Sequence, residues 1–432
     1  MNIKLLFITF VCIILLFFLK RHLYNYNNLL FQIKKMLKET NGIFIEKLLL
    51  LPITPLNKII RIKLPIHKKP FQPIILIPNI GGNKLYHNSK KIWFNNNYFL
   101  IKNNCNNHWV DQFTPDLING QLYNKTSEEK FNIINNFGKI SSITFLHKIG
   151  NSISYEFEPL LSFLTHNLNY TPKYNLFAAP YDFRIISNKS DLHPYFKKLK
   201  DLIEHSYSIN NTPSIITCHG LGGILFTLFI NYYLPLVLSR NNTLKWKKFF
   251  IKIFIPINTP FIGCSLAQKA LEQGISEGIG LTSLTYNYDK LYHKLQKYIG
   301  GFLFLLPDPH IFKQDFSSIE IYNDFIKNLL SYRLKDPKIL TKAVVSSNSN
   351  TLINYKDNLY EDLYYKSNQS ELLVKLRNNT PLNKMVGDGI SPFISQQVPI
   401  LWDNSEIFRI QGGHRSVINT EKFLELFYEI IS

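Results

Sequence analysis

The segment Cys218-His219-Gly220-Leu221-Gly222-Gly223 constrains the fold of this chain more than any other. Before it, Pro213 is followed by a short run with β-branched residues, 214–217, which predicts a buried strand. After it, residues 224–230 are mostly apolar and predict a buried helix. A strand, a sharp turn and a helix form a nucleophile elbow, in which the middle residue carries the reactive side chain. Gly220 stands at that middle position and has no side chain.

Glycine-rich turns before helices are common, so this motif alone leaves a plain structural turn open as an alternative. Further segments favour the elbow. Residues 73–82 are apolar and end in Gly81-Gly82, which predicts a strand followed by an early oxyanion-hole loop. The other segments are Ala179-Pro180-Tyr181-Asp182-Phe183-Arg184, Val386-Gly387-Asp388-Gly389-Ile390, and Gly412-Gly413-His414-Arg415 after a strand predicted at 406–410.

From about residue 63 to the C-terminus, these ordered motifs resemble the lecithin:cholesterol acyltransferase family, which includes lysosomal phospholipases and phospholipid:diacylglycerol acyltransferases. In that family the first loop is PGxGG, the second PYDWR or PYDFR, the elbow HSMGG or HSLGG and the acid loop GDGTV, with a histidine near the end. The resemblance implies that Asp388 is the triad acid and His414 the triad base. It also implies that the backbone N–H groups of Ile80 and Leu221 form the oxyanion hole, while Gly220 takes the place of the serine.

The resemblance implies an α/β-hydrolase fold, and the chain order of position 220, Asp388 and His414 agrees with it. Taken alone, an aspartate such as Asp388 is more often part of a plain Asp-Gly turn, and a histidine such as His414 more often a solvated loop residue, than a catalytic group. Alternating strands and helices predict a mostly parallel sheet with helices on both faces. Strands are predicted at 73–78, 174–178, 214–218, 249–257 and 339–346, and a closing helix at 421–431. A lid insertion is expected at about 87–136 and a cap insertion at about 264–335.

Two departures from the family motifs lie next to the predicted site. Asn79 replaces a glycine of the first loop, and we expect it to follow glycine into positive φ, which asparagine tolerates well. Ile390-Ser391 replaces Thr-Val after the acid, where the Asp-Gly turn is kept. The sequence thus predicts a preserved scaffold without its nucleophile.

Loss of the nucleophile from such a triad lowers turnover by about 10⁶, so acyl transfer through a serine ester is excluded. Cys218 and Thr217 are poor substitutes, because both lie in the predicted strand before the turn. Slow hydrolysis by water that His414 activates is one remaining possibility. Restoring a serine at position 220 is the smallest change expected to recover activity.

Two functional classes follow from the motifs. The first is an impaired enzyme of lipid metabolism that acts on membrane glycerophospholipids, with a sterol or diacylglycerol as acyl acceptor. The second is a non-catalytic descendant that binds a lipid or a protein partner. Neither class calls for a cofactor, and the four cysteines, Cys12, Cys105, Cys218 and Cys264, form no metal-type pairs.

The N-terminus carries an apolar run, residues 5–19, which only Thr9 interrupts and which Lys4 and Lys20-Arg21-His22 flank. As a helix it would span about 22 Å, less than the ~30 Å hydrocarbon core of a bilayer. We expect residues 1–22 to be an uncleaved signal-anchor, with a cleaved signal peptide or a core helix as alternatives. Residues 23–62 would connect it to the hydrolase domain, 63–432. The resemblance places that domain in a lumen or outside the cell, anchored or secreted.

The formal net charge of +19 raises the question of nucleic-acid binding. However, 41 lysines stand against 8 arginines, the lysines are dispersed, and the chain is also rich in Asn and Ile. A bias of composition therefore accounts for the charge, and no nucleic-acid partner is predicted. Attraction to anionic lipid is a milder consequence of the same charge.

Overall fold

The computed structural model describes residues 72–87, 90–93, 113–124, 136–149, 152–275, 293–308, 316–347, 349–350 and 386–432. The apolar run 5–19, the connector 23–62 and most of the predicted lid lie outside them. Within the described residues, no helix is long and apolar enough to cross a membrane.

The centre of the fold is a six-stranded sheet in which every neighbouring pair is parallel. Its strands, in chain order, are β1 (Ile74–Ile77), β2 (Leu176–Ala178), β3 (Ser214–His219), β4 (Ile251–Ile257), β5 (Thr341–Ser346) and β6 (Ser405–Ile410). The spatial order is β6-β5-β4-β3-β1-β2. Because β1 and β3 lie in the middle, the loop after β1 and the turn after β3 meet at the same edge.

Helices cover both faces of this sheet, as the alternating pattern predicts. They are α1 (Glu158–Asn167), α2 (Lys189–Asn210), α3 (Leu221–Leu228), α4 (Leu234–Val237), α5 (Arg240–Phe250), α6 (Ser265–Glu272), α7 (Asp324–Leu330), α8 (Phe393–Gln396) and α9 (Glu421–Ile431). A π-helical turn, Phe229–Tyr233, joins α3 to α4. Short 3-10 helices lie at Ile140–Ser142, Gly300–Leu305, Ser331–Leu334, Val398–Leu401 and Val417–Asn419.

Successive residues of β1 point to opposite faces and enter two separate hydrophobic clusters. Ile75 and Ile77 pack with α2 and α3 on one face, whereas Ile74 and Leu76 pack with α1 and α9 on the other. All four side chains are fully buried. This two-sided burial explains why the strand is a continuous apolar run rather than an alternating one.

The predicted ends of several elements differ from those of the structure. The strands expected at 174–178 and 339–346 begin two residues later, at Leu176 and Thr341. The strand expected at 249–257 begins only at Ile251, because Phe249 and Phe250 complete α5. The helix expected from residue 224 begins earlier, at Leu221, directly after the turn. The closing helix is α9, Glu421–Ile431, and the Thr420 side chain caps it by accepting from the N–H of Phe423.

Smaller antiparallel hairpins surround the sheet. They pair Leu85–His87 with Lys90–Trp93, Asp116–Ile118 with Gln121–Tyr123, Phe145–Ile149 with Ser152–Tyr155, and Ser349–Asn350 with Val386–Gly387. In the predicted lid, Trp93 and Phe113 are buried and stack at 5.2 Å between ring centroids. The Trp93 indole N–H donates to the carbonyl of Gly81 over 2.8 Å. These two aromatic side chains therefore brace the loop after β1.

Candidate active site

The turn between β3 and α3 has the form of a nucleophile elbow. Gly220 sits at the turn with φ 50° and ψ −119°, and its N–H donates to the carbonyl of Ile257 over 3.0 Å. A Cβ at Gly222 would lie 2.5 Å from the carbonyl oxygen of Ile77. The glycines after the turn thus let the helix pass close to the sheet, as in an elbow, but the turn carries no reactive side chain.

His414 and Asp388 form a buried pair beside this turn. The Asp388 Oδ2 lies 2.7 Å from Nδ1 of His414, and both side chains are buried. Asp388 is fixed in turn, because its Oδ1 accepts from the N–H groups of Ile390 (2.9 Å) and Ser391 (2.7 Å). The ionised carboxylate can only accept, so Nδ1 of His414 is the donor of this hydrogen bond. The structure therefore brings together the acid and the base that the motifs predict.

The N–H groups of Ile80 and Leu221 converge on a single oxygen. That oxygen is Oδ1 of Asn79, which accepts from Ile80 over 2.8 Å and from Leu221 over 2.9 Å. Two backbone donors at such distances from one oxygen are the geometry of an oxyanion hole. The two predicted donors are thus in place, and a side chain of the same protein occupies the position between them.

Asn79 does not substitute for glycine in the way its sequence position predicts. It is absent from the non-glycine residues with positive φ, and Gly81, with φ 68°, makes the left-handed turn of this loop instead. The expectation that Asn79 adopts positive φ is therefore wrong. The distinctive feature of Asn79 is its buried side chain, whose Nδ2 lies 2.9 Å from Nε2 of His414.

The Asn79 side chain also fills the space that a serine at position 220 would need. A Cβ built on Gly220 would overlap Oδ1 and Cγ of Asn79 and lie 2.8 Å from its Nδ2. A serine at position 220 therefore requires Asn79 to move. The single substitution Gly220→Ser is therefore opposed by a neighbouring side chain.

Glu156 and His219 hold the loops that carry Asn79 and His414. The sequence analysis assigned no role to either residue. Glu156 Oε1 accepts from the backbone N–H of Asn79 (3.0 Å) and lies 2.5 Å from Nδ1 of His219, whose Nε2 donates to the carbonyl of His414 (2.9 Å). Burial raises the pKa of Glu156, but the charge and hydrogen bond of His219, with Arg415 and the Asn79 N–H, outweigh burial and lower it to about 2.

Glu156 is therefore ionised, and His219 has an acceptor at each ring nitrogen and carries both protons. This buried ion pair ties the loop after β1 to the end of β3 and to His414. His219 belongs to the elbow motif, so the sequence contains a signal by which it could have been found. Nothing in the sequence around Glu156 singles it out.

Neither cysteine in the described residues offers a replacement nucleophile. Cys218 and Cys264 are free thiols, and both are buried. Burial raises the pKa of Cys218 well above its ordinary value and that of Cys264 to about 12. A thiol must ionise to attack, so both side chains are inert at neutral pH. Among the described residues, no group of His, Cys, Asp or Glu side chains could hold a metal ion.

An apolar pocket opens onto the site. Its polar end is formed by Asn79, Ser391, His414 and Arg415 around Gly220. Its apolar walls include Trp93, Phe183, Leu266, Ile275, Phe302 and Leu305. Apolar walls next to a few polar groups suit an amphiphilic ligand.

Arg333 holds one wall of that pocket in place. Its fully buried guanidinium donates to the carbonyls of Phe304 and Leu306, each over 2.8 Å, and to that of Ile262 over 3.1 Å. It also lies 3.4 Å from the buried carboxylate of Asp308. One side chain thus connects the 3-10 helix Gly300–Leu305 to the loop after β4.

A protein-family model described as "Lecithin:cholesterol acyltransferase" matches residues 87–423. The mouse phosphatidylcholine-sterol acyltransferase is 27% identical over 299 residues, with 62% of each chain covered. The human lysosomal phospholipase A and acyltransferase is 27% identical over 226 residues, which cover 47% of this chain and 50% of the relative. The Arabidopsis thaliana lecithin-cholesterol acyltransferase-like 1 is 24% identical over 246 residues, covering 49% and 54%. The chain therefore spans about half to three fifths of these relatives.

Proposed function

Because the chain belongs to the lecithin:cholesterol acyltransferase family, we propose that it binds a membrane glycerophospholipid in the apolar pocket beside Gly220 and forms no acyl-enzyme. One observation carries the proposal: the pocket and the Asp388–His414 pair are present at an elbow that has no nucleophile. Together these features support binding of a lipid without covalent turnover.

The chemistry that the site lacks is specific. In a serine-dependent member, the histidine takes the hydroxyl proton, the serine oxygen attacks the ester carbonyl, and the two N–H donors stabilise the oxyanion. Here the aspartate, histidine and donors have their partners, but no oxygen is available at position 220 to attack. Loss of that atom alone lowers turnover by about 10⁶.

Hydrolysis by an activated water has less support than binding. A general base needs a free lone pair that faces the water it deprotonates. The lone pair of His414 Nε2 faces Nδ2 of Asn79 at 2.9 Å. The base is therefore already engaged, and a water at the turn would compete with a buried amide.

The pocket suits a lipid with two chemical parts. Buried apolar walls favour an acyl chain, and transfer of each CH₂ group from water contributes about 0.8 kcal/mol. Arg415 lines the pocket as well and provides a positive charge for a lipid phosphate. We place the domain in a lumen or outside the cell, anchored by residues 5–19 or secreted after their removal. A sterol or diacylglycerol acceptor has no role without an acyl-enzyme.

Isothermal titration calorimetry with a soluble short-chain phosphatidylcholine, below its micelle concentration, tests this proposal. We expect saturable binding with one site per chain. Ala267→Phe places a ring into the pocket from α6 and should weaken binding by about tenfold or more, which corresponds to about 1.4 kcal/mol. Leu236→Phe, on the exposed surface of α4, is the matched control and should bind as the unmodified protein does.

Two results would contradict the proposal. The first is the absence of saturable binding by the folded, unmodified protein. The second is equal binding by the Ala267→Phe variant, which would place the lipid elsewhere.

A further inference from the structure

We propose that the Asn79 side chain is a built-in occupant of the catalytic centre, which holds the oxyanion hole and the histidine base at the same time. Its amide oxygen takes the position of a substrate carbonyl oxygen, and its NH₂ group takes the contact with His414 that a serine hydroxyl would make. This inference concerns the polar end of the pocket and does not depend on phospholipid binding along the apolar walls.

The amide oxygen satisfies both donors of the hole. Ile80 and Leu221 lie on different elements, one in the loop after β1 and the other at the first turn of α3. Their N–H groups nevertheless meet at Oδ1 of Asn79 over 2.8 and 2.9 Å. A carbonyl oxygen has two lone pairs, so both are used. An ester carbonyl can enter the hole only if this amide leaves.

The amide nitrogen has an equally defined partner. Oδ1 must face the N–H groups of Ile80 and Leu221, because an NH₂ group there would meet two donors. Nδ2 therefore faces His414 and donates to Nε2, which accepts through its lone pair, over 2.9 Å. The two ends of the amide therefore match the two halves of the site in only one orientation.

The backbone of Asn79 is held as firmly as its side chain. Its N–H donates to Glu156 (3.0 Å), and its carbonyl accepts from the N–H of Gly82 (2.9 Å). The side chain is 4% exposed. Glu156 also holds His219, which donates to the carbonyl of His414. One buried carboxylate thus sets the positions of both the occupant and the loop that carries the base.

Asn79 and Gly220 are mutually dependent. The amide lies where a Cβ at position 220 would stand, so its present position requires glycine there. Conversely, a serine at position 220 would meet an amide that already holds the hole and the base. Two substitutions, and not one, therefore separate this chain from a working centre.

The experiment compares four proteins: the unmodified chain, Gly220→Ser, Asn79→Gly, and the double variant Asn79→Gly with Gly220→Ser. The probe is a small alkyl fluorophosphonate, and intact-protein mass spectrometry follows the adduct. In a competent centre the introduced serine oxygen attacks phosphorus, a P–O bond forms, the P–F bond breaks, fluoride leaves, and the serine proton passes to Nε2 of His414.

We expect the double variant to react at least about tenfold faster than Gly220→Ser, since the Asn79 amide no longer competes for the oxyanion hole and the histidine base. The unmodified chain and Asn79→Gly should not react. The control for removal of an asparagine is the double variant Gly220→Ser with Asn210→Ala. The Asn210 amide donates to the carbonyls of Tyr174 and Ser206. This control should react as fast as Gly220→Ser does.

A second measurement needs no serine and covers the case in which the double variant does not fold. Asn79→Gly vacates the hole while Gly220 is kept, so a medium-chain fatty-acid carboxylate should bind this variant at least about tenfold more tightly than the unmodified chain. Equal fatty-acid binding by the two proteins would overturn the inference. So would labelling of Gly220→Ser as fast as that of the double variant. Loss of phosphatidylcholine binding alone would contradict only the proposed function.

Discussion

Nδ2 of Asn79 lies 2.9 Å from Nε2 of His414, and it donates to the lone pair that a working triad would use as its base. The pairing connects a loop residue after β1 with a residue after β6, across the edge of the sheet where the site is formed. The Asp388–His414 pair is therefore part of a hydrogen-bond network that reaches the loop after β1. Within this network the Asn79 amide contacts the base and both N–H donors of the hole.

Removal of the Asn79 amide should destabilise the protein. Asn79→Ala leaves the buried N–H groups of Ile80 and Leu221 and the lone pair of His414 without their partner. We expect the free energy of unfolding to fall by about 1–3 kcal/mol, as measured by urea denaturation. Asn210→Ala, which removes an amide from α2, is the comparison. A stability equal to that of the unmodified protein would show that the amide is not a structural partner of the hole.

Glu156 should make stability depend on pH in the acidic range. Its pKa of about 2 in the folded state lies below the ordinary value of 4.5, so the unfolded chain takes up this proton first as the pH falls. The contribution to stability is present above about pH 4.5 and is lost towards pH 2; for a shift of this size it amounts to at most about 3 kcal/mol. The measurement is the free energy of unfolding between pH 5 and the lowest pH at which the chain folds.

Glu156→Gln should flatten that dependence, because the glutamine has no proton to gain. Glu425→Gln, on the exposed side of α9, is the matched control and should keep the slope of the unmodified protein. Equal slopes for Glu156→Gln and the unmodified chain would show that Glu156 is not the group responsible.

Arg333 should be essential to the pocket wall. Arg333→Met removes the guanidinium donor from the carbonyls of Phe304, Leu306 and Ile262 and breaks the buried ion pair with Asp308, and such losses cost about 3–5 kcal/mol. Arg333→Lys should recover little, because a single ammonium does not reproduce the planar fork of the guanidinium. Thermal unfolding measures both variants, with Arg240→Met on the exposed start of α5 as the control. A melting temperature within a degree of that of the control would contradict this role.

Residues 5–19 should retain the protein on membranes. We expect the full-length chain to stay in the membrane fraction after high-salt and carbonate washes and deletion of residues 1–22 to release most of it. Mass spectrometry of the mature N-terminus separates the alternatives. A chain that begins after residue 19 would show a cleaved signal peptide.

Much of the fold could be predicted because parallel strands that are buried on both faces are continuous apolar runs. Residues 73–78 and 214–218 contain β1 and most of β3, and the glycines after them allow the close passage that the turn needs. Strand and helix ends were less predictable. Phe249 and Phe250 suit a strand by composition, but they complete an amphipathic helix that begins at a Ser239 cap.

The candidate site was predictable where residues stand in motifs and not where they meet only in space. The roles of Asp388, His414, Ile80 and Leu221 are implied by the resemblance of their loops to the family motifs, and the structure brings their groups together. Glu156 lies 63 residues before His219, so their contact leaves no local pattern. The sequence pointed to the backbone conformation of Asn79, whereas in the structure its side chain contacts the site.

We expect the unmodified chain neither to form a covalent acyl intermediate nor to release fatty acid through water that His414 activates. The most direct measurement is release of fatty acid from phosphatidylcholine by the unmodified protein and by His414→Ala, combined with intact mass after exposure to a fluorophosphonate. We expect equal release of fatty acid by the two proteins, at the level of the buffer, and no adduct on the unmodified protein. Fatty-acid release that depends on His414, or an adduct on any residue of the pocket, would contradict this expectation.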